Sequence, residues 1–259
     1  MAKKIKNDGA SQNPFLELAQ GLGANHSDEV WDISERISEA RHRFGGLKQE
    51  RYGYKNRIAP LGYSRGFFRN KEVRDIDRYA VVFIGVIVEG QGLELVLEDL
   101  PEIRKHIPGI KIKVIGTGPF LARFKEQVQK AWLNSLFTFY GFVESNEAML
   151  DIVASSAIGI SLWDNRDNKL NNSYFGDPGK TKLYSVCGLP VIVSNDTVYS
   201  HIIARNRAGI AISYDRKELV SALTTLLRND TEYPKFKANA VMTAQEYCDS
   251  EKIFSSVLN

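Results

Sequence analysis

The sequence predicts an α/β fold, a Rossmann-like parallel sheet with helices on both faces, preceded by a partial N-terminal α/β segment. Three observations predict it. Short, nearly continuous apolar runs recur from Tyr79 onward, helical patterns separate most of them, and glycines cluster just after the runs. Strands that read as continuous apolar runs are buried on both faces, and their alternation with helices is the pattern of a parallel sheet. The chain has 259 residues, 43% of them hydrophobic, enough for one large domain or for one domain with a fragment of another.

The elements follow in order. Residues 1–14 read as a disordered polar tail. Phe15–Leu22 reads as a short helix and Glu29–Ile33 as a strand. Ser34 then caps a helix that places Ile37, Ala40 and Arg41 at helical spacing, and Arg57–Leu61 reads as one more strand. Gly62–Arg78, rich in charge and turn residues, reads as a linker. The apolar runs of the main domain are Ala80–Ile87, Ile110–Ile115, Leu136–Tyr140, Ala157–Leu162, Pro190–Val193 and Gly209–Ser213. The helical patterns are Leu93–His106, Pro119–Trp132, Asn146–Ala154, Pro178–Cys187 and Lys217–Leu227, and residues 232–258 read as closing helices.

Composition excludes several classes. The formal net charge is +3, and the basic residues are scattered among acids, so no nucleic-acid partner is expected. The N-terminus carries charge but lacks the apolar core of a secretory signal. The longest apolar run, Tyr79–Val88, is too short to span a bilayer. Cys187 and Cys248 read as reduced, buried thiols, which places the chain in the cytoplasm, with a peripheral position at the inner face of the membrane left open.

One stretch asks for chemistry. In GDPGKTKLYSVCGLPVIV, Asp177 can cap a helix, Pro178 suits its first position, Gly188 can end it and Pro190 cannot continue it. Yet Lys180 and Lys182 sit in the first turn, where the helix dipole disfavours a cation. Two readings stand side by side. Either both lysines are solvated at a cost of a few tenths of a kcal/mol, or an anion such as a diphosphate sits at the helix start and binds them. In an open parallel sheet ligands bind outside the carboxyl ends of the strands, where Gly85, Gly92, Gly116, Gly118 and Gly141 cluster.

The order strand-GVIVEGQG-helix, strand-IGTGP-helix, strand-YGFV, then DPGKTKLYSVCGLPVIVS resembles the C-terminal, donor-binding domain of GT-B glycosyltransferases, most closely glycosyltransferase family 4, the group 1 family. The resemblance implies a nucleotide-sugar-binding domain over residues 79–228 and closing helices over 229–259. Residues 15–78 then correspond to a remnant of a truncated acceptor-binding domain and its linker. It also implies donor contacts. Gly85, Gln91 and Gly92 match the loop that approaches the diphosphate, Gly116 and Gly118 the glycine turn near the nucleotide, and Phe142 and Val143 the backbone beside the base. Asp177, Pro178, Gly179 and Lys180 match the loop and helix start facing sugar and phosphates, with Lys182 supplying further charge and Tyr184 on the helix behind.

The sequence departs from the family at defined places. Val86 and Gln91 stand where the family carries phosphate-binding cations, and Phe175 and Leu183 where it carries paired glutamates. No segment matches the family's catalytic histidine or carboxylate, so no catalytic residue is assigned. His26, His42, His106 and His201 are scattered, and Asp164 and Asp167 read as solvated loop residues. The implied activity is transfer of a sugar, with retention, from a nucleotide diphosphate donor to a glycan or lipid-linked acceptor, with no metal or other cofactor required. The alternative is a catalytically incomplete nucleotide-sugar-binding subunit that needs a partner chain or self-associates through residues 15–60. An unrelated nucleotide-dependent oxidoreductase is disfavoured, because the first strand is not followed by G-x-G-x-x-G.

Overall fold

The computed structural model describes residues 23, 24, 26–44, 48–165 and 172–258. The expected tail over residues 1–14, the expected helix Phe15–Leu22 and the expected loop residue Asp167 lie outside them. The chain divides after Ala59 into two compact units.

In the first unit, strand β1 (Val30–Asp32) pairs in parallel with β2 (Asn56–Ile58), and helix α1 (Glu35–Phe44) connects them. Ser34 caps α1 as expected, accepting from the Ile37 amide at 3.1 Å. The apolar core is small, formed by Ala24, Val30 and Tyr52. A buried polar knot supplements it: the Asp32 carboxylate is paired with Arg41 and accepts from Asn56 Nδ2 at 2.8 Å.

The second unit is a six-stranded, wholly parallel sheet in the order β5-β4-β3-β6-β7-β8. Its strands are β3 (Asp77–Ile84), β4 (Lys111–Ile115), β5 (Phe137–Gly141), β6 (Ser156–Ser161), β7 (Val191–Ser194) and β8 (Gly209–Ile212). Besides the single turn Asn172–Phe175, the helices are α2 (Leu93–His106), α3 (Leu121–Lys130), α4 (Asn146–Ala154), α5 (Gly179–Val186), α6 (Ser200–Arg205), α7 (Arg216–Arg228), α8 (Tyr233–Tyr247) and α9 (Ser250–Leu258). Two apolar layers flank the sheet. Val81 and Phe83 of β3 enter the one built from α2, α3 and α7, and Val82 enters the one built from α4, α5, α6 and α8. Burial on both faces explains why the strand reads as an unbroken apolar run.

One strand boundary differs from expectation. The first apolar run was expected to continue as strand to Ile87, but Gly85 adopts φ +139° and ends β3 at Ile84. Residues 60–78, which include the linker expected over 62–78, fall within the second compact unit. Tyr63 donates its amide to the Cys248 carbonyl at 2.8 Å and accepts from the Ser250 amide at 3.1 Å. Tyr63, Phe67 and Phe68 pack on the second apolar layer, so aromatic anchors hold a segment whose charges suggested a free connection.

Both cysteines are free and buried, and burial pushes the Cys187 thiol up to about 12 and that of Cys248 to about 11. Among the described residues no helix is long and apolar enough to cross a membrane.

Candidate functional site at the carboxyl ends of the strands

β3 lies at the point where the sheet's strand order reverses, with β4 and β5 on one side and β6, β7 and β8 on the other. Ligands of such sheets bind outside the carboxyl ends at this switch point. The β3–α2 loop begins at Gly85 and ends at Gly92, which caps α2 with φ +91°. It is tied down on both flanks. Gly85 donates to the Ile115 carbonyl at 3.1 Å and Ile87 to the Thr117 carbonyl at 2.9 Å, while Asp164 donates to the Gly90 carbonyl at 2.7 Å.

The glycines Gly116 and Gly118 serve this loop directly. A Cβ at Gly116 would overlap the Gly85 carbonyl, and one at Gly118 the Ile87 backbone. The Gly116 amide in turn donates to the Gly141 carbonyl at 2.7 Å, which joins the β5 loop to the same layer. There Phe142 projects 74% exposed, with Val143 half-buried behind it.

Helix α5 ends as its sequence dictates. Gly188 has φ +70° and donates to the Ser185 carbonyl at 2.9 Å, and Leu189 donates to the Tyr184 carbonyl at 3.0 Å, closing the helix with a left-handed glycine. Its start differs from expectation. Pro178 rather than Asp177 is the capping residue, and no side chain caps the helix. The Asp177 carboxylate instead forms a buried ion pair with Lys182 and accepts from the Leu61 amide at 2.6 Å. Lys182 Nζ completes the ring by donating to the Leu61 carbonyl at 2.8 Å, and the Gly179 carbonyl accepts from Tyr63 Oη at 3.0 Å. Lys182 is 1% exposed. Both charges are thus engaged inside the fold and hold the 61–63 segment against the helix start. Burial pushes the Asp177 carboxyl upward, with Lys182 acting in the opposite direction.

Tyr184 is fully buried. Its hydroxyl accepts from the Ile84 amide at 2.9 Å and donates to the Ile160 carbonyl at 3.2 Å, bridging β3 and β6 where they diverge. Its position is beneath the site, as a strut between the two strands.

Lys180 takes the other direction. Its Nζ donates to Gln91 Oε1 at 2.7 Å and lies 4.4 Å from the centre of the Phe83 ring and 5.0 Å from that of Trp163. A Cβ at Gly85 would come within 3.8 Å of it. No carboxylate of the described residues lies within ion-pair distance, and desolvation pulls the ammonium down to about 7. The structure therefore gathers Gly85, Gln91, Gly92 and Lys180 into one place at the switch point. Phe83 and Trp163 were missed by sequence reasoning; Phe83 lies inside β3, but Trp163, an aromatic just past the end of β6, carried a usable signal. The family's glutamate positions are apolar in space as well: Leu183 is buried, and Phe175 packs edge-on against Tyr174 at 5.1 Å. No group of three His, Cys, Asp or Glu among the described residues is placed to hold a metal ion.

The model of the family described as Glycosyl transferases group 1 matches residues 78–229. No curated protein matches the chain by sequence. Among solved structures, Anabaena HepE in complex with UDP is 15% identical over 98% of this chain and 68% of its own, with a TM-score of 0.77. Sucrose-phosphate synthase from Thermosynechococcus elongatus is 17% identical over 97% of this chain and 62% of its own, with a TM-score of 0.73. S. aureus TarM, solved with fondaparinux, alpha-GlcNAc-glycerol and UDP, is 14% identical over 94% of this chain and 45% of its own, with a TM-score of 0.73. The chain spans from 45% to 68% of the length of these proteins. At such identities the likeness is one of fold, the Rossmann-like architecture of GT-B enzymes.

Proposed function

The chain belongs to the group 1 glycosyl transferases, and from that membership we propose that it binds the diphosphate of a nucleoside diphosphate sugar at Lys180. In this reading it transfers the sugar, with retention, to a glycan or lipid-linked acceptor, as a member of glycosyltransferase family 4. The observation that carries the reading is the placement of Lys180 at the switch point of the sheet, a desolvated ammonium with no carboxylate of the described residues within ion-pair distance. A partly buried, desolvated cation in that state is costly unless a ligand anion joins it.

The chemistry follows from the geometry. The first amides of α5 lack intrahelical acceptors and favour an anion. Lys180 supplies the full charge that the dipole lacks, and the backbone at Gly85 leaves the space free of side chain. Together they stabilise the departing nucleoside diphosphate by position and charge, with no metal required. Gln91 holds Lys180 in place until a phosphate oxygen replaces the carboxamide. Buried thiols fit a cytoplasmic setting.

A second reading, a donor-binding subunit that needs another chain for the acceptor, draws on the apolar Phe175 and Leu183 at the glutamate positions. Partner contact through residues 15–60 would use the exposed Trp31 and Tyr54. The test is calorimetric titration of the chain with UDP, GDP and ADP, repeated on Lys180→Ala. Binding of one nucleotide, weakened by the substitution, supports the reading; no binding at millimolar concentration overturns it. Turnover of the matching nucleotide sugar by the isolated chain eliminates the second reading.

A further inference from the structure

A lysine carries its charge on a flexible four-carbon stem, so an ammonium offered to a ligand is ordinarily spread over many rotamers. Gathering it into one costs entropy at the moment of binding, unless the fold has already done so. Lys180 is bracketed in this way. The Phe83 ring lies 4.4 Å from its Nζ and the Trp163 ring 5.0 Å, and Gln91 Oε1 accepts from it at 2.7 Å. The partners come from separate elements: Phe83 from β3, Trp163 from the chain just past β6, and Gln91 from the loop before α2. Phe83 is buried inside its strand, so the sheet itself holds that ring.

Trp163 stands in a loop, yet its backbone is fixed on two sides. Ser194 Oγ, at the end of β7, accepts from the Trp163 amide at 2.8 Å and donates to the Trp163 carbonyl at 3.3 Å. Ser194 is buried, so the clamp is as firm as the strand that carries it. One residue on, the Asp164 amide donates to the Gly90 carbonyl at 2.7 Å. The indole therefore starts from a fixed point beside Lys180. Its chemistry suits the task. An aromatic face attracts an ammonium, most strongly out of water. A carboxylate in that place would hold the lysine too, but it would also cancel its charge and repel an incoming phosphate. A ring holds the cation and leaves the charge for an anion.

We propose that Trp163, clamped by Ser194, is a positioning residue that holds the Lys180 ammonium in place for an anionic ligand without neutralising it. That the anion is the diphosphate of a nucleotide rests on the reading given above; the bracket around Lys180 does not.

The test is calorimetric titration with UDP, GDP and ADP of the unmodified chain, Trp163→Phe, Trp163→Leu, Lys180→Ala and the double variant Trp163→Leu/Lys180→Ala. Trp163→Leu should weaken the nucleotide that binds by about tenfold, the worth of one desolvated cation–π contact. Trp163→Phe keeps a ring face and should recover most of that loss. With Lys180→Ala already in place, Trp163→Leu should cost nothing further, because Trp163 acts through the lysine. A tryptophan that merely supports the fold would weaken binding equally in both backgrounds, and that result, or no loss in Trp163→Leu, overturns the proposal. Proton NMR of the unliganded chain gives a reading that needs neither nucleotide nor a Trp163 variant. The Lys180 ε-protons should be shifted upfield by the ring currents and show contacts to the indole protons; ε-protons at the position of exposed lysines, without such contacts, overturn the bracket even where Trp163→Leu does not fold. If no nucleotide binds, the diphosphate reading falls and the NMR result alone decides whether Trp163 positions Lys180.

Discussion

Gly159 of β6 and Tyr184 of α5 share one space: the Tyr184 ring fills the volume in which a Cβ at residue 159 would stand. The contact lets the tyrosine pass close over the strand and reach both Ile84 and Ile160 with its hydroxyl. Gly159→Ala should therefore cost about 3 kcal/mol or more, at the upper end for overpacking in a rigid interior. Tyr184→Phe keeps the shape but leaves a buried amide and carbonyl without their partner, at about 1–3 kcal/mol. Urea unfolding followed by circular dichroism measures both; unchanged midpoints would remove Tyr184 as the strut between β3 and β6.

The second prediction concerns pH and the nucleotide. Free Lys180 titrates at about 7, and a bound diphosphate raises that value. Below pH 7 the lysine is charged with or without ligand, so affinity is level. Above pH 7 binding must take up a proton, and affinity falls by up to tenfold per pH unit. The window from 7 to about 9 avoids the phosphate's own ionisation near 6. Lys180→Arg, whose charge does not titrate there, should flatten the profile. A slope that survives in Lys180→Arg would assign the proton to another group.

Lys180 also bears on stability. Its folded pKa lies below the unfolded value of about 10.4, so between pH 7 and 10.4 the unfolded chain binds more protons and stability rises with pH. The destabilisation is fully present below pH 7. Lys180→Met should raise the thermal midpoint of the unliganded chain by a few degrees at pH 6 and lose that advantage by about pH 10.4. A gain independent of pH would trace to packing rather than charge, and a loss at pH 6 would contradict the assignment.

The fourth prediction separates a structural pair from a ligand site. Asp177→Ala leaves the Lys182 ammonium buried with only the Leu61 carbonyl, and should cost about 3–5 kcal/mol. Asp177→Asn combined with Lys182→Met removes both charges and should cost less than that single change. A double-mutant cycle read by chemical unfolding gives the coupling. Additive losses would mean the two residues do not depend on each other.

Much of this was legible in the chain. The apolar runs mark all six strands of the sheet; in β6 and β7 burial on both faces leaves no room for polar alternation, whereas the edge strand β5 alternates buried Phe137 with exposed Thr138. Gly188 and Pro190 mark the end of α5, since only a left-handed residue followed by a helix breaker closes a helix that way. The anchoring of the linker was not legible, because its charges are visible in sequence, whereas the packing of Tyr63, Phe67 and Phe68 on the second apolar layer is not. The bracket of Phe83 and Trp163 around Lys180 was not legible, because its members come from β3, the end of β6 and α5, which meet only in the folded sheet.

The two lysines of the opening helix divide the matter. By itself the sequence determined the sheet, the helix and the presence of two cations in its first turn. The tertiary structure decided that Lys182 turns inward to Asp177 and Leu61 while Lys180 turns to Gln91 and the switch point. Periodicity, caps and breakers act over a few neighbouring residues. The partners that orient these side chains lie far along the chain, 121 residues away for Leu61 and Lys182 and 89 for Gln91 and Lys180, and only folding brings them into reach.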